Sequence, residues 1–169
     1  MERSPIHLWK HSRGFSRDLL LSASVNISIL LQAFKRGTAT YALEKSTDPK
    51  ARDCLKATPS GTKKGNTLPV TMTFKNGRKW VSVNWTFTLD GAKMSATYKR
   101  QKQQGEVVYD VKSHDCHITK LSSGVYQQWQ INDSADEKDI ECCDKKFDEL
   151  RSGKEFTKPQ EKNCETSTK

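Results

Sequence analysis

The sequence has little hydrophobic material for its length. Only 34% of its 169 residues are hydrophobic, and the mean hydropathy is −0.80. Such a composition fits one domain with a thin or hollow core and excludes a large, multi-layer enzyme domain. The most apolar window, residues 19–34, is interrupted by polar residues and is shorter than the roughly 20 residues that a membrane-spanning helix needs. We therefore expect no membrane span, and the 14 aromatic residues exclude a fully disordered chain.

The sequence also lacks the short motifs of catalysis and metal binding. It contains no GxSxG, HExxH, phosphate-binding loop, GxGxxG or CxxC pattern. His114 and His117 flank Cys116, but a cysteine in a disulfide cannot bind a metal, and no Cys/His group has zinc-finger spacing. We therefore predict that the protein is not an enzyme, holds no metal and needs no cofactor.

The five cysteines allow two interpretations: buried thiols in a cytosolic protein, or disulfides in a secreted one. Three of the six asparagines, Asn26, Asn84 and Asn132, lie in Asn-x-Ser/Thr sequons, where roughly one is expected by chance. Glycosylation at these three positions would favour the secreted, extracellular interpretation. The first twenty residues carry charges throughout and resemble no signal peptide. We leave residues 1–17 unassigned and place one domain in residues 18–169.

Alternating polar and apolar residues predict a sheet of antiparallel strands. The clearest alternation runs from Val81 to Leu89, with the sequon residue Asn84 on the polar face. Asn76-Gly77 predicts a type I′ hairpin turn before this strand, and Asp90-Gly91 predicts the turn after it. Segments with strand character are 27–31, 41–43, 54–57, 68–74, 81–89, 94–98, 106–111, 116–121 and 125–131, with 99–105 as a polar loop. Strands at this spacing predict a meander that closes into a barrel.

The periodicity then changes to that of a helix at about residues 135–151. Ser134-x-x-Glu137 has the pattern of a capping box, and Gly153 is placed to end the helix. Cys143 lies on the apolar face of this helix, so it is the candidate partner for the strand residue Cys116. Cys54 and Cys164 remain as a second pair. Cys142 is then left without a partner.

The second half of the chain resembles the tick salivary lipocalins, the histamine-binding protein group. The matching motifs are VVYD, DCHITKL, YQQW, IECCDKKFDEL and NCE, and the resemblance extends from Cys54 to Glu165. It implies an all-β fold with a C-terminal helix: an eight-stranded antiparallel lipocalin (calycin) barrel. It also implies the pairings Cys54–Cys164 and Cys116–Cys143. Members with a double cysteine often bridge the extra one to a cysteine at the helix end, where this chain has Arg151.

The resemblance further implies a secreted scavenger that captures a small host inflammatory mediator, a biogenic amine such as histamine or an eicosanoid or fatty acid, inside its barrel and so evades host defence. The resemblance implies five ligand-binding residues: Asp48, Tyr98, Asp110, Gln127 and Trp129. Trp85, an aromatic residue on the inward face of its predicted strand, is a sixth candidate. Gln127 stands where amine-binding members carry the glutamate of an ELW motif. Removing one partner of a buried ion pair typically costs about 3–5 kcal/mol, so tight histamine binding is not expected from this position. An eicosanoid or a fatty acid is the other small ligand that the family suggests, and basic side chains near the mouth would suit its carboxylate.

Two further hypotheses concern the outer surface of the barrel. The loops of a lipocalin scaffold can bind a host protein, such as a complement or immune component. Alternatively, a charge of +9, from 29 Lys and Arg against 20 Asp and Glu, suits a barrel that binds polyanions. The basic residues are scattered in short pairs such as Lys35-Arg36, Lys63-Lys64 and Lys99-Arg100, which disfavours the polyanion hypothesis. We expect a monomer with a small-molecule ligand and neither a nucleic-acid partner nor a membrane partner.

Overall fold

The computed structural model describes residues 39–132 and 135–165. These residues form a closed antiparallel barrel in which each strand pairs with the next and β8 returns to β1. The strands are β1 (Tyr41–Ser46), β2 (Asp53–Pro59), β3 (Thr67–Asn76), β4 (Lys79–Asp90), β5 (Lys93–Tyr98), β6 (Gln101–Asp110), β7 (Cys116–Leu121) and β8 (Tyr126–Ile131). Helix α1 (Glu137–Arg151) and a short 3-10 turn (Pro159–Glu161) follow. The predicted all-β fold with eight strands and a C-terminal helix is confirmed, whereas the predicted strand at 27–31 and the sequon at Asn26 lie outside the described residues.

The long hairpin of β3 and β4 is built as its alternation predicts, but its turn lies one residue further along. Asn76 pairs with Lys79, so the two turn residues are Gly77 and Arg78. The predicted type I′ turn at Asn76-Gly77 is therefore wrong. Gly77 has a φ of 64° and is the first central residue, which is the glycine position of a type II′ turn.

The predicted polar loop at 99–105 is also wrong, because most of it is the first half of β6. Gln101 to Glu106 pair with β5 in continuous register, from Tyr98↔Gln101 to Lys93↔Glu106. Gly105 lies against β7, where a Cβ atom would come within 2.7 Å of the Lys120 carbonyl oxygen. Only a glycine therefore allows β6 to approach β7 at this point.

Helix α1 begins two residues later than the capping box predicts. Its N-cap is Asp136, whose side chain accepts hydrogen bonds from the backbone N–H groups of Lys138 and Asp139. The backbone N–H of Asp136 is itself held by Asp115 Oδ2 at 3.4 Å, a contact with the β6–β7 loop that local sequence does not reveal. The capping box of Ser134 and Glu137 is therefore not the helix start. Among the described residues, no helix is long and apolar enough to cross a membrane.

The main packed core lies between α1 and the outside of the barrel. Phe147 and Cys143 are fully buried against Ile118 and Cys116 of β7. The apolar residues of α1 thus cover the outer face of β7, which leaves the inside of the barrel free for a cavity. This arrangement agrees with the small hydrophobic fraction of the sequence.

Two disulfides, Cys54–Cys164 and Cys116–Cys143, join the barrel to the residues after it. These are the pairings that the resemblance implies, and Cys142 is free and exposed.

The segment after α1 returns to the barrel where β1 and β2 separate. These two strands are paired only at Tyr41↔Ala57 and Ala42↔Lys56. Beyond that point the Gln160 side chain donates hydrogen bonds to the Leu43 and Leu55 carbonyls, at 3.2 and 3.0 Å. Ser46 and Thr157 exchange two backbone hydrogen bonds nearby. We call this segment, residues 156–164, the C-terminal strap.

Candidate functional site

A cavity of about 250 Å³ occupies the inside of the barrel and reaches the β1–β2 loop, residues 47–52. This volume is slightly below the roughly 300–1,000 Å³ of most ligand pockets, so the cavity suits one small molecule. Its lining residues are Ala39, Tyr41, Leu43, Asp48, Lys50, Ala51, Arg52, Leu55, Ala57, Pro59, Val70, Met72, Phe87, Met94, Gln103, His117, Thr119, Gln127 and Trp129.

One side of the cavity is apolar. Inward-facing residues of β1 to β5 form it, among them Leu43, Leu55, Val70, Met72 and Phe87. Apolar and polar residues alternate along these strands because every second side chain faces the interior, whereas the others face water or a neighbouring element. An acyl chain or an aromatic ring that contacts this wall would be removed from water.

The opposite side, formed by β7 and β8, carries a polar stripe. Thr119 Oγ1 and Trp129 Nε1 both donate to Gln127 Oε1, at 3.5 and 3.4 Å. His117 lies directly opposite Trp129 in the β7–β8 register and also lines the cavity. The stripe supplies uncharged hydrogen-bonding groups deep inside the barrel.

Charged groups line the cavity at the β1–β2 loop. Asp48 is held in a tight turn, because its Oδ1 accepts from the Lys50 backbone N–H at 2.9 Å and its own N–H donates to Ser46 Oγ at 3.1 Å. Lys50 follows, and the guanidinium of Arg52 lies 5.2 Å from the Phe74 ring centroid. Two cations and one carboxylate therefore share this part of the lining.

A buried acid–base cluster lies on the same side of the sheet as His117. Asp110 is opposite His117 in the β6–β7 register, and its side chain is 5% exposed. Asp110 Oδ2 contacts His114 Nδ1 at 3.0 Å, whereas Oδ1 is buried without a hydrogen-bond partner. Burial raises the pKa of Asp110 to about 6 despite the opposing effect of His114. Burial lowers the pKa of His117 to about 4, with a smaller effect of His114 in the same direction, so its imidazole is neutral at pH 7.

Three of the six predicted ligand-binding residues come together in the cavity lining: Asp48, Gln127 and Trp129. Trp85 and Tyr98 contact each other, with ring centroids 5.6 Å apart, and are not part of that lining. Asp110 is also outside it and belongs to the cluster with His114. Two of the three sequon asparagines, Asn84 and Asn132, are among the described residues, and both are exposed.

The sequence analysis missed most of the apolar wall and the β7 half of the polar stripe, which is His117 and Thr119. A signal for the stripe was present, because Cys116 was already predicted to bond the helix outside the barrel. Cys116 and Ile118 are both fully buried beneath α1. The alternating residues His117 and Thr119 must then face inward. Across the described ranges, no three His, Cys, Asp or Glu side chains are grouped as a metal site requires.

A closed eight-stranded meander with an internal cavity and a helix packed on its outer face defines a lipocalin. The chain belongs to the tick lipocalins: it is 69% identical over 140 residues to moubatin from Ornithodoros moubata, covering 82% of this chain and 82% of moubatin. No family model matches the sequence.

Solved structures support the same fold. The AM182–serotonin complex matches with a TM-score of 0.64 and 21% identity, covering 76% of this chain and 86% of that one. Lobster apocrustacyanin A1 matches with a TM-score of 0.54 and 12% identity, covering 82% and 87%. At these identities the two structures bear on the fold alone. Together with the moubatin relationship, they support a lipocalin scaffold.

Proposed function

We propose that this protein is secreted, that it sequesters a small inflammatory mediator of the host, and that the preferred ligand is an apolar acid such as a fatty acid or an eicosanoid. The observation that carries the proposal is the combination of an apolar wall with Lys50 and Arg52 beside it. Capture of such a mediator would serve evasion of host defence.

Burial of the tail would supply most of the affinity. Each methylene group removed from water contributes about 0.8 kcal/mol, and the wall formed by β1 to β5 provides the surface for it. An exposed ion pair contributes only about 0.2–1 kcal/mol. The carboxylate would therefore determine the selectivity for the ligand and its orientation, with the charged end of the ligand toward Lys50 and Arg52.

A biogenic amine is the second candidate, and Asp48 is the observation that favours it. Asp48 is the carboxylate in the cavity lining, and AM182, a structural neighbour, was solved with serotonin. An ammonium at Asp48 would lie near Lys50 and Arg52, whose charges oppose it. Gln127 adds a neutral amide and no compensating charge. For these reasons we rank the amine below the apolar acid.

Secretion is supported by the chemistry of the cysteines. Two disulfides that join distant parts of the chain form and persist in oxidising compartments. The exposed positions of Asn84 and Asn132 are compatible with glycans.

The proposal is tested by native mass spectrometry of the full chain, produced in an oxidising host and titrated separately with arachidonic acid, its methyl ester, histamine and serotonin. We expect a one-to-one adduct with the acid and a weaker one with the ester, which keeps the tail and lacks the charge. The variant A57F fills the cavity and should abolish both adducts.

The charged part of the proposal has its own variant. K50A/R52A should weaken binding of the acid by up to about 30-fold, the equivalent of two exposed ion pairs, and leave the ester unaffected. K63A/K64A, in the β2–β3 loop, removes the same charge away from the cavity lining and serves as the matched control. Adducts with the amines alone would overturn the preference for an acid. A folded protein that binds none of the four compounds would direct the search to host proteins.

A further inference from the structure

The hairpin of β3 and β4 carries a group of basic residues beside an aromatic side chain. At the turn between β3 and β4 the fold places Lys75, Arg78 and Lys79 around Trp80. Lys75 is directly opposite Trp80 in the strand register, and its Nζ lies 5.5 Å from the Trp80 ring centroid. We call these four residues the hairpin tip.

The hairpin tip projects from the barrel. β4 pairs with β5 from Thr86 to Asp90, and Trp85 contacts Tyr98, the last residue of β5, so residues 79–84 extend past the end of β5. On the other side, β3 is paired with β2 as far as Lys75↔Asp53. The tip is thus held firmly along β2 and accessible along β4.

The cations of the tip are not neutralised by the protein. In the part of the chain that the structure describes, ion pairs are formed within α1, within the 3-10 turn region, between Lys45 and Asp144, and between Asp110 and His114. None of them includes Lys75, Arg78 or Lys79. The Lys75 ammonium instead donates to the Asn163 carbonyl. Arg78 and Lys79 are therefore exposed cations, and the half-buried Lys75 adds a third positive charge beside them. Asp53, opposite Lys75, is the carboxylate that the register brings nearest.

Trp80 adds a second kind of contact. It is 38% exposed, and among the described residues it is the large hydrophobic residue that is exposed to solvent. A flat, exposed indole beside cations suits a sulfated sugar chain, because the C–H face of a sugar ring can stack on the indole while sulfate groups pair with the cations. A single-stranded nucleic acid would require several aromatic platforms for successive bases, and the tip has one.

We propose that the hairpin tip binds a sulfated glycan chain of the heparin type. This contact is separate from the cavity, since none of the four residues lines it. It would retain the protein on extracellular surfaces while the barrel remains open to its small ligand.

The test measures binding of a heparin octasaccharide to the full chain by isothermal titration calorimetry at several salt concentrations. We expect saturable binding that weakens as salt rises, because cations that pair with a polyanion release its condensed counterions. R78A/K79A should weaken binding and lower the slope of log affinity against log salt by about 2, one for each lost contact. W80A should weaken binding and leave the salt slope unchanged. K63A/K64A removes two lysines from the β2–β3 loop, at the opposite end of the barrel, and should retain wild-type binding.

Three results would overturn the proposal. Equal losses in R78A/K79A and K63A/K64A would show that net charge alone attracts the glycan. Absence of octasaccharide binding near physiological salt would remove the site. Equal or tighter binding of a single-stranded oligonucleotide of matched charge would assign the tip to nucleic acid. The circular dichroism of each variant verifies that a loss of binding does not come from unfolding.

Discussion

The buried carboxyl of Asp110 makes the stability of this protein depend on pH in a direction that can be tested. Its pKa is raised from 3.8 to about 6, mainly by burial, and Oδ1 has no hydrogen-bond partner. Because the folded pKa exceeds the unfolded one, the folded state holds this proton more tightly. The resulting stabilisation is fully present below the unfolded pKa and is lost as the pH rises through 6.

The size of this effect follows from the two pKa values. At about 1.36 kcal/mol per pH unit, a pKa difference between 3.8 and about 6 corresponds to roughly 3 kcal/mol. About 2 kcal/mol of it falls between pH 4 and pH 7. D110N keeps the shape of the side chain and cannot ionise. We therefore expect the stability of D110N relative to wild type to rise by about 2 kcal/mol from pH 4 to pH 7.

The assay is urea denaturation of both proteins at half-unit pH intervals, with disulfides intact. D90N removes the same charge from an exposed turn and measures the contribution of net charge alone. A difference between D110N and wild type that stays flat, or falls as the pH rises, would refute the conclusion that burial dominates over the His114 ion pair.

Three further predictions concern other parts of the molecule. Burial lowers the pKa of His117 to about 4, so its contribution to stability is present above pH 6.5 and is lost as the pH falls through 4. In the same urea assay, the stability of H117Q relative to wild type should therefore rise by up to about 3 kcal/mol from pH 7 to pH 4, and no rise would contradict the neutral, buried imidazole. C54A/C164A opens a loop of sequence separation 110 and should lose about 4.7 kcal/mol in the chain-entropy relation, and a loss below about 1 kcal/mol would contradict it. F147A removes the largest fully buried side chain beneath α1 and should cost about 3–5 kcal/mol of unfolding free energy, whereas an unchanged urea midpoint would mean that α1 does not stabilise the barrel.

The strands that were predicted well have one buried face. β4 alternates between half-buried and exposed residues from Val81 to Thr86, and the sequence shows the same alternation. The helix was visible for a similar reason, since Cys143 and Phe147 must both face the barrel. Periodicity thus predicted the barrel and the helix, and the cysteine positions together with the family resemblance predicted both disulfides.

The first half of β6 was missed because it has no buried face. Gln101 to Gln104 are polar and exposed, and they form a strand through backbone hydrogen bonds with β5. Backbone pairing leaves no trace in side-chain chemistry. The composition of this segment is that of a loop, and only the neighbouring strand makes it part of the sheet.

The cavity lining was predicted only in part because alternation gives the face of a residue and not its height in the barrel. Trp85 lies opposite Val70 in the β3–β4 register, on the same side of the sheet, yet it contacts Tyr98 while Val70 lines the cavity. Which inward residues reach the cavity depends on the relative shift of neighbouring strands. That shift is a property of the closed barrel and not of any one segment.

The C-terminal strap has a consequence for the biosynthesis of this protein. Gln160 bridges the two strands that separate most, and Cys164 bonds to Cys54 across most of the barrel sequence. During translation these residues leave the ribosome after all eight strands. The wall between β1 and β2 therefore stays incomplete until residues 156–164 have been made, although both strands that it joins are among the first of the barrel to be synthesised.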